Sequence, residues 1–398
     1  MRLFFRDELF DGQLLRTLSH CRYGGAEISE CLEAARNIPE KDLSRWFTVW
    51  FDLAERVRKE AEQSRLHGHP ISARDGFLRA SNYYRNAYIF LFQKPPDSKL
   101  RQAYQLHRLA FRQAMETLAE EVQIPYEQTS LRGYFLRAPG ETPRPTLILN
   151  GGYDSTAEEC YFWNAAAGLR RGYHCLIFDG PGQGSALIEQ ELPFRPDWEA
   201  VIRPIVDWLQ QRPEVKAGRI GIVGLSFGGY LALRAASGEA RLAACVADPG
   251  QFSLLDIFRA HLPGILARGL QEDGASRWLL LRIMLARLHK PTAGWALRRA
   301  LWVHGVDTLE EYLSHAALYS LEGKAGQIRC PTLVCSAEDD EIAATAGQSY
   351  DALNCEKEFL TFLKSEGASE HCEAGSRMLF HQRAFDWLDR QLYLEPSP

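Results

Sequence analysis

Apolar residues in the first part of the chain recur at helical spacing. In DLSRWFTVWFDLAERVRKEAE, Trp46, Val49, Trp50, Leu53, Ala54 and Val57 fall on one face of a helix with 3.6 residues per turn. Two more helices are predicted over SARDGFLRASNYYRNAYIFLF and LRQAYQLHRLAFRQAMETLAEE. PPDS at 95–98 separates them, because proline cannot continue a helix interior. After residue 121 the period changes. VQIPYEQ and LRGYFLRA alternate like half-buried antiparallel strands. Short apolar runs then end in turn residues: TLILNGG (146–152), CLIFDGPGQG (175–184), IGIVGLSFGG (220–229), LAACVADPG (242–250), PTLVCSAEDD (331–340) and EFLTFLKS (358–365). Helical stretches alternate with most of these runs, which predicts an α/β fold with a mostly parallel sheet buried on both faces.

Between about 251 and 326 the strands pause. LLDIFRAHLPGILARGL, SRWLLLRIMLARLHK, AGWALRRALWVHG and TLEEYLSHAALYSL all have helical patterns. An all-helical insert between two core strands reads as a lid over the C-terminal edge of the sheet, where such sheets bind ligands. The predicted organisation is therefore an N-terminal helical region (1–121), a catalytic core (122–250 and 327–398) and a helical lid insertion (251–326).

Composition narrows the functional classes. With 398 residues, 46% hydrophobic and 24% charged, the chain is an ordinary globular protein with room for one large core and an accessory region. A net charge of −5 gives no electrostatic case for nucleic acid or an anionic membrane as partner. MRLFFRDELF carries Arg2, Arg6, Asp7 and Glu8 and does not read as a secretory signal, and no stretch approaches the roughly 18 apolar residues of a membrane span. Nine scattered cysteines without a CxxC pair point to reduced thiols, a cytoplasmic location and no metal site.

The candidate chemistry begins at Gly224-Leu225-Ser226-Phe227-Gly228, which follows the strand IGIV and precedes the helical GYLALRAAS. A serine on so tight a strand-to-helix turn projects its oxygen above the sheet, and small residues two before and two after it permit the turn. A serine hydroxyl becomes a nucleophile when a histidine takes its proton and an acid orients that imidazole. In this arrangement the chain order is Ser, acid, His. PTLVCSAEDDEIA supplies carboxylates just past an apolar strand, and SEGASEHC places His371 after the next one. Asp340 is the expected acid, with Asp339 the alternative and Glu338 read as solvated surface. His174 and His381, and His20, His67, His69, His107, His261, His289, His304 and His315 in helical regions, read as ordinary structural or surface residues.

The oxyanion formed on attack needs preorganised N–H donors. Phe227, after the nucleophile, should supply one, and Gly152 or Tyr153 in the loop after TLILN the other, with Asp154 a candidate to fix that loop. DGPGQG (179–184) is neither GxGxxG nor GxxxxGK[ST], so it reads as a rigid loop bordering the pocket, and no cofactor is expected. Asp248, in ADPG at a strand end, is a candidate substrate contact or a structural turn residue. Arg74 and Arg79, with Tyr83 and Tyr84, are candidates to bind an acidic or phenolate substrate; the alternative is a solvated helix face.

NGGYDST, FDGPGQG, GLSFGGYLA and GASEHC, in that order behind a helical N-terminal region with RDGFLRASNYYR, resemble one group of α/β-hydrolases. It contains 2,6-dihydroxypseudooxynicotine hydrolase, the fungal yellowish-green-1 polyketide-shortening hydrolases and, more distantly, the fermentation-respiration switch proteins. The resemblance spans nearly the whole chain. It implies Ser226 as nucleophile, His371 as base and Asp340 as acid, N-terminal helices over the active site, and a homodimer. It also implies hydrolysis of a carbon–carbon bond next to a ketone in a small-molecule substrate, by direct attack of Ser226 or by activated water. Ala337 stands where glycine is usual, a departure that bears on the acid. A carboxylesterase or thioesterase would use the same residues and differ only in the leaving group. An acyl-peptidase, or a non-catalytic binding protein on this scaffold, are the remaining readings.

Overall fold

The computed structural model describes residues 2–260, 262–270, 274–290, 292 and 294–393, without the side chains of 258 and 265; His261 lies outside the described residues. The chain divides into two compact units, Met1–Ala119 with Ala286–Trp302, and Glu120–Leu285 with Val303–Pro398.

The first unit is helical: α1 (Glu8–Leu18), α2 (Ile28–Arg36), α3 (Leu43–Leu66), α4 (Pro70–Tyr88) and α5 (Ser98–Met115). Aspartates start three of them. Asp7 accepts the N–H of Leu9 and Phe10, Asp42 that of Arg45, and Asp97 that of Lys99, each satisfying donors that have no intrahelical acceptor. The apolar stripe read in α3 is buried through Trp46, Trp50, Ala54 and Val57, and the Trp46 indole donates to Asn86 O at 2.8 Å. Segment 286–302, expected to belong to a single insertion, is part of this helical unit. Its Trp295 indole N–H donates to Ile89 O at 2.8 Å, and Trp302 packs on Phe92 at 5.2 Å between centroids. Trp295 and Trp302 are both buried in these contacts.

The second unit is built on an eight-stranded sheet in the order β1-β2-β4-β3-β5-β6-β7-β8. The strands are β1 (Ala119–Tyr126), β2 (Thr129–Leu136), β3 (Arg144–Asn150), β4 (His174–Phe178), β5 (Val215–Leu225), β6 (Ala244–Asp248), β7 (Thr332–Ala337) and β8 (Lys357–Phe362). β2 runs antiparallel to β4, and the six strands from β4 to β8 are parallel. β4 and β6 are buried throughout, as expected of parallel strands covered on both faces. The helices used below are α6 (Glu199–Gln210), α7 (Phe227–Gly238), α8 (Leu309–Ala316) and α9 (Arg377–Leu392). Registers Asn150↔Gly224, Leu225↔Asp248 and Ala337↔Phe362 bring the C-terminal ends of the central strands to one edge of the sheet. Gly152 and Tyr153, Ser226 and Phe227, Asp340 and His371 each follow one of those ends, and Asp248 is one of them. Among the described residues no helix is long and apolar enough to cross a membrane.

His381 on α9 is buried, with Nε2 hydrogen-bonded to Trp163 O at 2.6 Å. Burial first, and the neighbouring Arg377 charge second, push it down from 6.5 to about 3. The unfolded chain therefore takes up a proton below pH 6.5 that the folded chain refuses, and stability falls as pH drops from 6.5 toward 3. At pH 5 this one residue should cost about 2 kcal/mol. Urea unfolding at pH 7.5 and pH 5 should show the loss, and a His381→Gln variant should lose less between the two. Equal losses in both proteins would mean that His381 is protonated in the folded state.

Candidate active site

The turn at Ser226 is tight. Ser226, between β5 and α7, has φ 60° and ψ −130°, a conformation L-residues rarely adopt. A Cβ on Gly224 would lie 1.9 Å from Gly228 O, and one on Gly228 2.4 Å from Asn150 O, so both small residues of the motif are required by contact. The Ser226 N–H donates to Asp248 O at 2.6 Å, which ties the turn to the end of the neighbouring strand.

Ser226, His371 and Asp340 meet although they are far apart in sequence. His371 Nε2 is 2.8 Å from Ser226 Oγ, and His371 Nδ1 is 2.8 Å from Asp340 Oδ2. Asp340 is itself held, its Oδ1 accepting the Ile342 N–H at 3.0 Å. The alternative carboxylates are engaged elsewhere. Asp339 accepts from Ser369 Oγ at 2.7 Å and pairs with Lys364 at 3.0 Å, while Glu338 accepts the Lys364 N–H at 2.7 Å. The Ala337 departure leaves this arrangement intact, since the turn is closed by the Asp340 N–H on Ala337 O at 3.2 Å.

The loop after β3 packs directly on the Ser226 turn. A Cβ on Gly152 would lie 2.8 Å from Ser226 Cβ and 3.1 Å from Phe227 N. Phe227 opens α7, where the first N–H groups of a helix have no intrahelical acceptor. The DGPGQG loop has a part that its sequence did not reveal. Gln183 Nε2 donates to Gly151 O at 2.6 Å and to Gly152 O at 3.1 Å, and its Oε1 accepts the Gly180 N–H at 3.2 Å. In a trans peptide the C=O and N–H point in opposite directions. Fixing these two carbonyls therefore fixes, on the other side, the N–H groups of Gly152 and Tyr153. Asp179 anchors the loop's base, accepting from the N–H groups of Ala157 and Ser185 at 2.7 Å and from Ser185 Oγ at 2.9 Å. Burial, then the nearby Glu158, raises it to about 6.

Three candidates have other occupations. Asp248 is buried, and Arg377 Nη1 donates to its Oδ2 at 2.8 Å, to Glu373 Oε2 at 2.9 Å and to Cys372 O at 2.8 Å. Arg377 Nη2 donates to Asn164 at 2.9 Å. Burial raises both carboxyls, Glu373 well above the usual range, and the Arg377 guanidinium between them opposes the shift in each. Of its two sequence readings, the geometry supports the structural one. Arg79 and Tyr83 lie in the helical unit and converge on Glu30. Tyr83 donates to Glu30 Oε2 at 2.8 Å and accepts the Glu27 N–H at 2.8 Å, and Arg79 Nε is 3.3 Å from the same carboxylate oxygen. Tyr84 bonds to Glu55 and Arg58. These polar groups join α2, α3 and α4 within the helical unit. Spacing on one helix gave no hint of the carboxylates on its neighbours.

Residues 146–360 match the alpha/beta hydrolase family. Hydrolase acrC of Aspergillus aculeatus is 31% identical, over 98% of each chain. Hydrolyase poxO of Penicillium oxalicum is 33% identical over 98% of this chain and 99% of its own, and 20-hydroxy-prefusarin hydrolase FUS2 of Gibberella moniliformis is 32% identical over 98% of each. The solved structure of 2,6-dihydroxy-pseudo-oxynicotine hydrolase superposes with a TM-score of 0.75 at 25% identity, covering 96% of this chain and 98% of that one.

Replacing Gln183 by Ala should release the Gly151 and Gly152 carbonyls and loosen the N–H groups behind them. Loss of a direct oxyanion donor costs on the order of 100- to 1000-fold in kcat, so an indirect loosening should cost about 10-fold with little change in KM. Steady-state kinetics on an activated aryl ester would measure it. A Gln183→Ala protein with unaltered kcat would show that the loop holds its geometry without the amide.

Proposed function

The chain belongs to the alpha/beta hydrolase family, and from that premise we propose that it is a serine hydrolase in which Ser226 is the nucleophile, His371 the general base and Asp340 the orienting acid. One observation carries this reading: the His371 imidazole bridges Ser226 Oγ and Asp340 Oδ2 at 2.8 Å on each side. With Nδ1–H held by the carboxylate, Nε2 is left as the acceptor for the serine proton. As Ser226 Oγ bonds to a substrate carbonyl carbon, that proton passes to Nε2. The carbonyl oxygen takes the negative charge, and the N–H groups of Phe227 and of Tyr153 or Gly152 stabilise it.

The bond we propose to be cleaved joins the attacked carbonyl carbon to a carbon next to a ketone. When the tetrahedral intermediate collapses, the C–C electron pair leaves as an enolate spread onto that ketone, and the imidazolium returns its proton to the departing carbon. Water, deprotonated by His371, then releases the acyl group from Ser226. The motif resemblance to hydrolases that cut beside a ketone supports this choice. So does likeness over the whole chain to 20-hydroxy-prefusarin hydrolase and 2,6-dihydroxy-pseudo-oxynicotine hydrolase. A polyketide or aromatic β-diketone is the corresponding substrate class.

A fluorophosphonate probe should label the wild type and not Ser226→Ala. Asp340→Asn should reduce kcat on the order of 10⁴-fold, because the imidazole then loses its tautomer and orientation. On matched panels, the wild type should hydrolyse β-diketones faster than aryl esters. Ester turnover without diketone cleavage would reassign the enzyme as an esterase, and an unlabelled, inactive but folded wild type would remove the nucleophile assignment.

A further inference from the structure

His304 reads in sequence as an unremarkable helix-end histidine, yet the fold brings it to the oxyanion loop. It follows the helix Trp295–Val303 directly and is 2% exposed. Its Nε2 is hydrogen-bonded to the Tyr153 hydroxyl, and its Nδ1 lies 3.1 Å from Nδ1 of His315 on α8. The backbone beneath is anchored, with the Phe194 N–H donating to Val303 O at 2.8 Å. A reciprocal Thr308–Glu311 capping box sets the start of α8 and so the place of His315. The His304 ring contacts those of Tyr153 and Phe227, at centroid separations of 5.4 and 6.5 Å, and these two rings pack edge to face at 4.8 Å. One imidazole therefore touches the side chains of both residues whose backbone N–H groups flank the nucleophile.

We propose that His304 is a positioning residue for the oxyanion hole, acting through the Tyr153 hydroxyl, so that segment 303–319 completes the site. This rests on the reading of the Tyr153 and Phe227 N–H groups as oxyanion donors. Such donors act only when held close to their working geometry before the charge forms. The loop that carries Tyr153 begins Gly151-Gly152, the most freely rotating pair a chain offers. Gln183 fixes its carbonyls, and His304 fixes its far end through the phenol. Burial, with the neighbouring His315 second, pushes His304 down to about 3, so the ring is neutral and carries one N–H. With the proton on Nδ1, His304 donates to His315 and accepts from Tyr153. With the proton on Nε2, it donates to Tyr153 and accepts from His315. With His315 in the complementary tautomer, both His304 hydrogen bonds persist in either case, and the phenol stays pinned.

A histidine that served only as core packing would be replaced by phenylalanine without kinetic loss. The test compares His304→Phe, which keeps a ring, His304→Gln, which keeps a hydrogen-bonding group, Tyr153→Phe, which deletes one oxygen, and the His304→Phe/Tyr153→Phe double variant. Each is assayed for kcat and KM on an activated aryl ester and for the rate of fluorophosphonate labelling. His304→Phe and Tyr153→Phe should each lower kcat about 10-fold with KM nearly unchanged, less than the loss of a direct donor. The double variant should be no worse than the poorer single one, and His304→Gln should recover most of the rate. Full activity in either single variant, additive losses in the double, or equal losses in His304→Gln and His304→Phe would overturn the proposal. If His304→Phe fails to fold, Tyr153→Phe decides alone, since it removes no packing volume beyond a hydroxyl. A wild type that is labelled and active while the variants match it sinks only the role of His304. A wild type that is neither labelled nor active sinks the hydrolase reading beneath it as well.

Discussion

A serine held at φ 60° and ψ −130° stores on the order of 1–3 kcal/mol of backbone strain, and the structure around Ser226 is arranged to impose it. β5 delivers the chain into the turn and α7 carries it away. Gly224 and Gly228 allow the two to approach within backbone contact, and Asp248 O accepts the serine N–H from the next strand. Relaxing that one residue would separate the first turn of α7 from the loop after β3, which packs against it at Gly152. The hydroxyl would also leave the reach of His371. Strain, the placement of the Ser226 hydroxyl and the disposition of the nearby N–H groups are thus consequences of a single backbone conformation.

The same economy governs the loop that presents His371. Cys372 and Glu373, the next two residues, both have positive φ, at 52° and 47°, an uncommon pairing for residues with side chains. Arg377, the first residue of α9, restrains them by donating to Cys372 O and to the Glu373 carboxyl while pairing with Asp248. Since Asp248 O also receives the Ser226 N–H, one buried aspartate links the strained serine turn to the strained histidine loop. Removing one partner of such a buried pair costs about 3–5 kcal/mol, because it leaves a charge without compensation. The cluster's importance therefore lies in geometry, two loops held to a common support. Arg377 also stacks over the Phe380 ring at 3.8 Å, which keeps its guanidinium away from water.

Much of this was readable in the sequence, and the reasons are local. Strand and helix periodicity, a glycine-flanked serine after an apolar run, and a histidine after the last strand are features of neighbouring residues. The mostly parallel sheet and its shared C-terminal edge then follow from the alternation of strands and helices. Pattern alone favoured Asp340 over Asp339. The contacts that separate them, Asp339 to Ser369 and Lys364 and Asp340 to His371, are long in sequence and visible only in the fold.

Where local pattern was silent, partners from distant segments decided. Asp248 at a strand end looked equally suited to substrate or turn, and Arg377, 129 residues later, makes it a buried ion pair. Arg79 and Tyr83 on α4 were open to a substrate contact or a solvated helix face, and Glu30 on α2 engages both. Gln183 and His304 carried no motif for their roles, because the atoms they bond lie 31 or 32 and 151 positions away. Trp295 and Trp302, read only as part of a helical insertion, are buried against Ile89 and Phe92. The sequence by itself determined which elements form and which residue types reach the sheet's edge, since both depend on periodicity and steric permission within a few residues. Only the tertiary structure decided which polar side chain meets which, because a hydrogen bond or ion pair depends on ångström-scale placement that no spacing along the chain encodes.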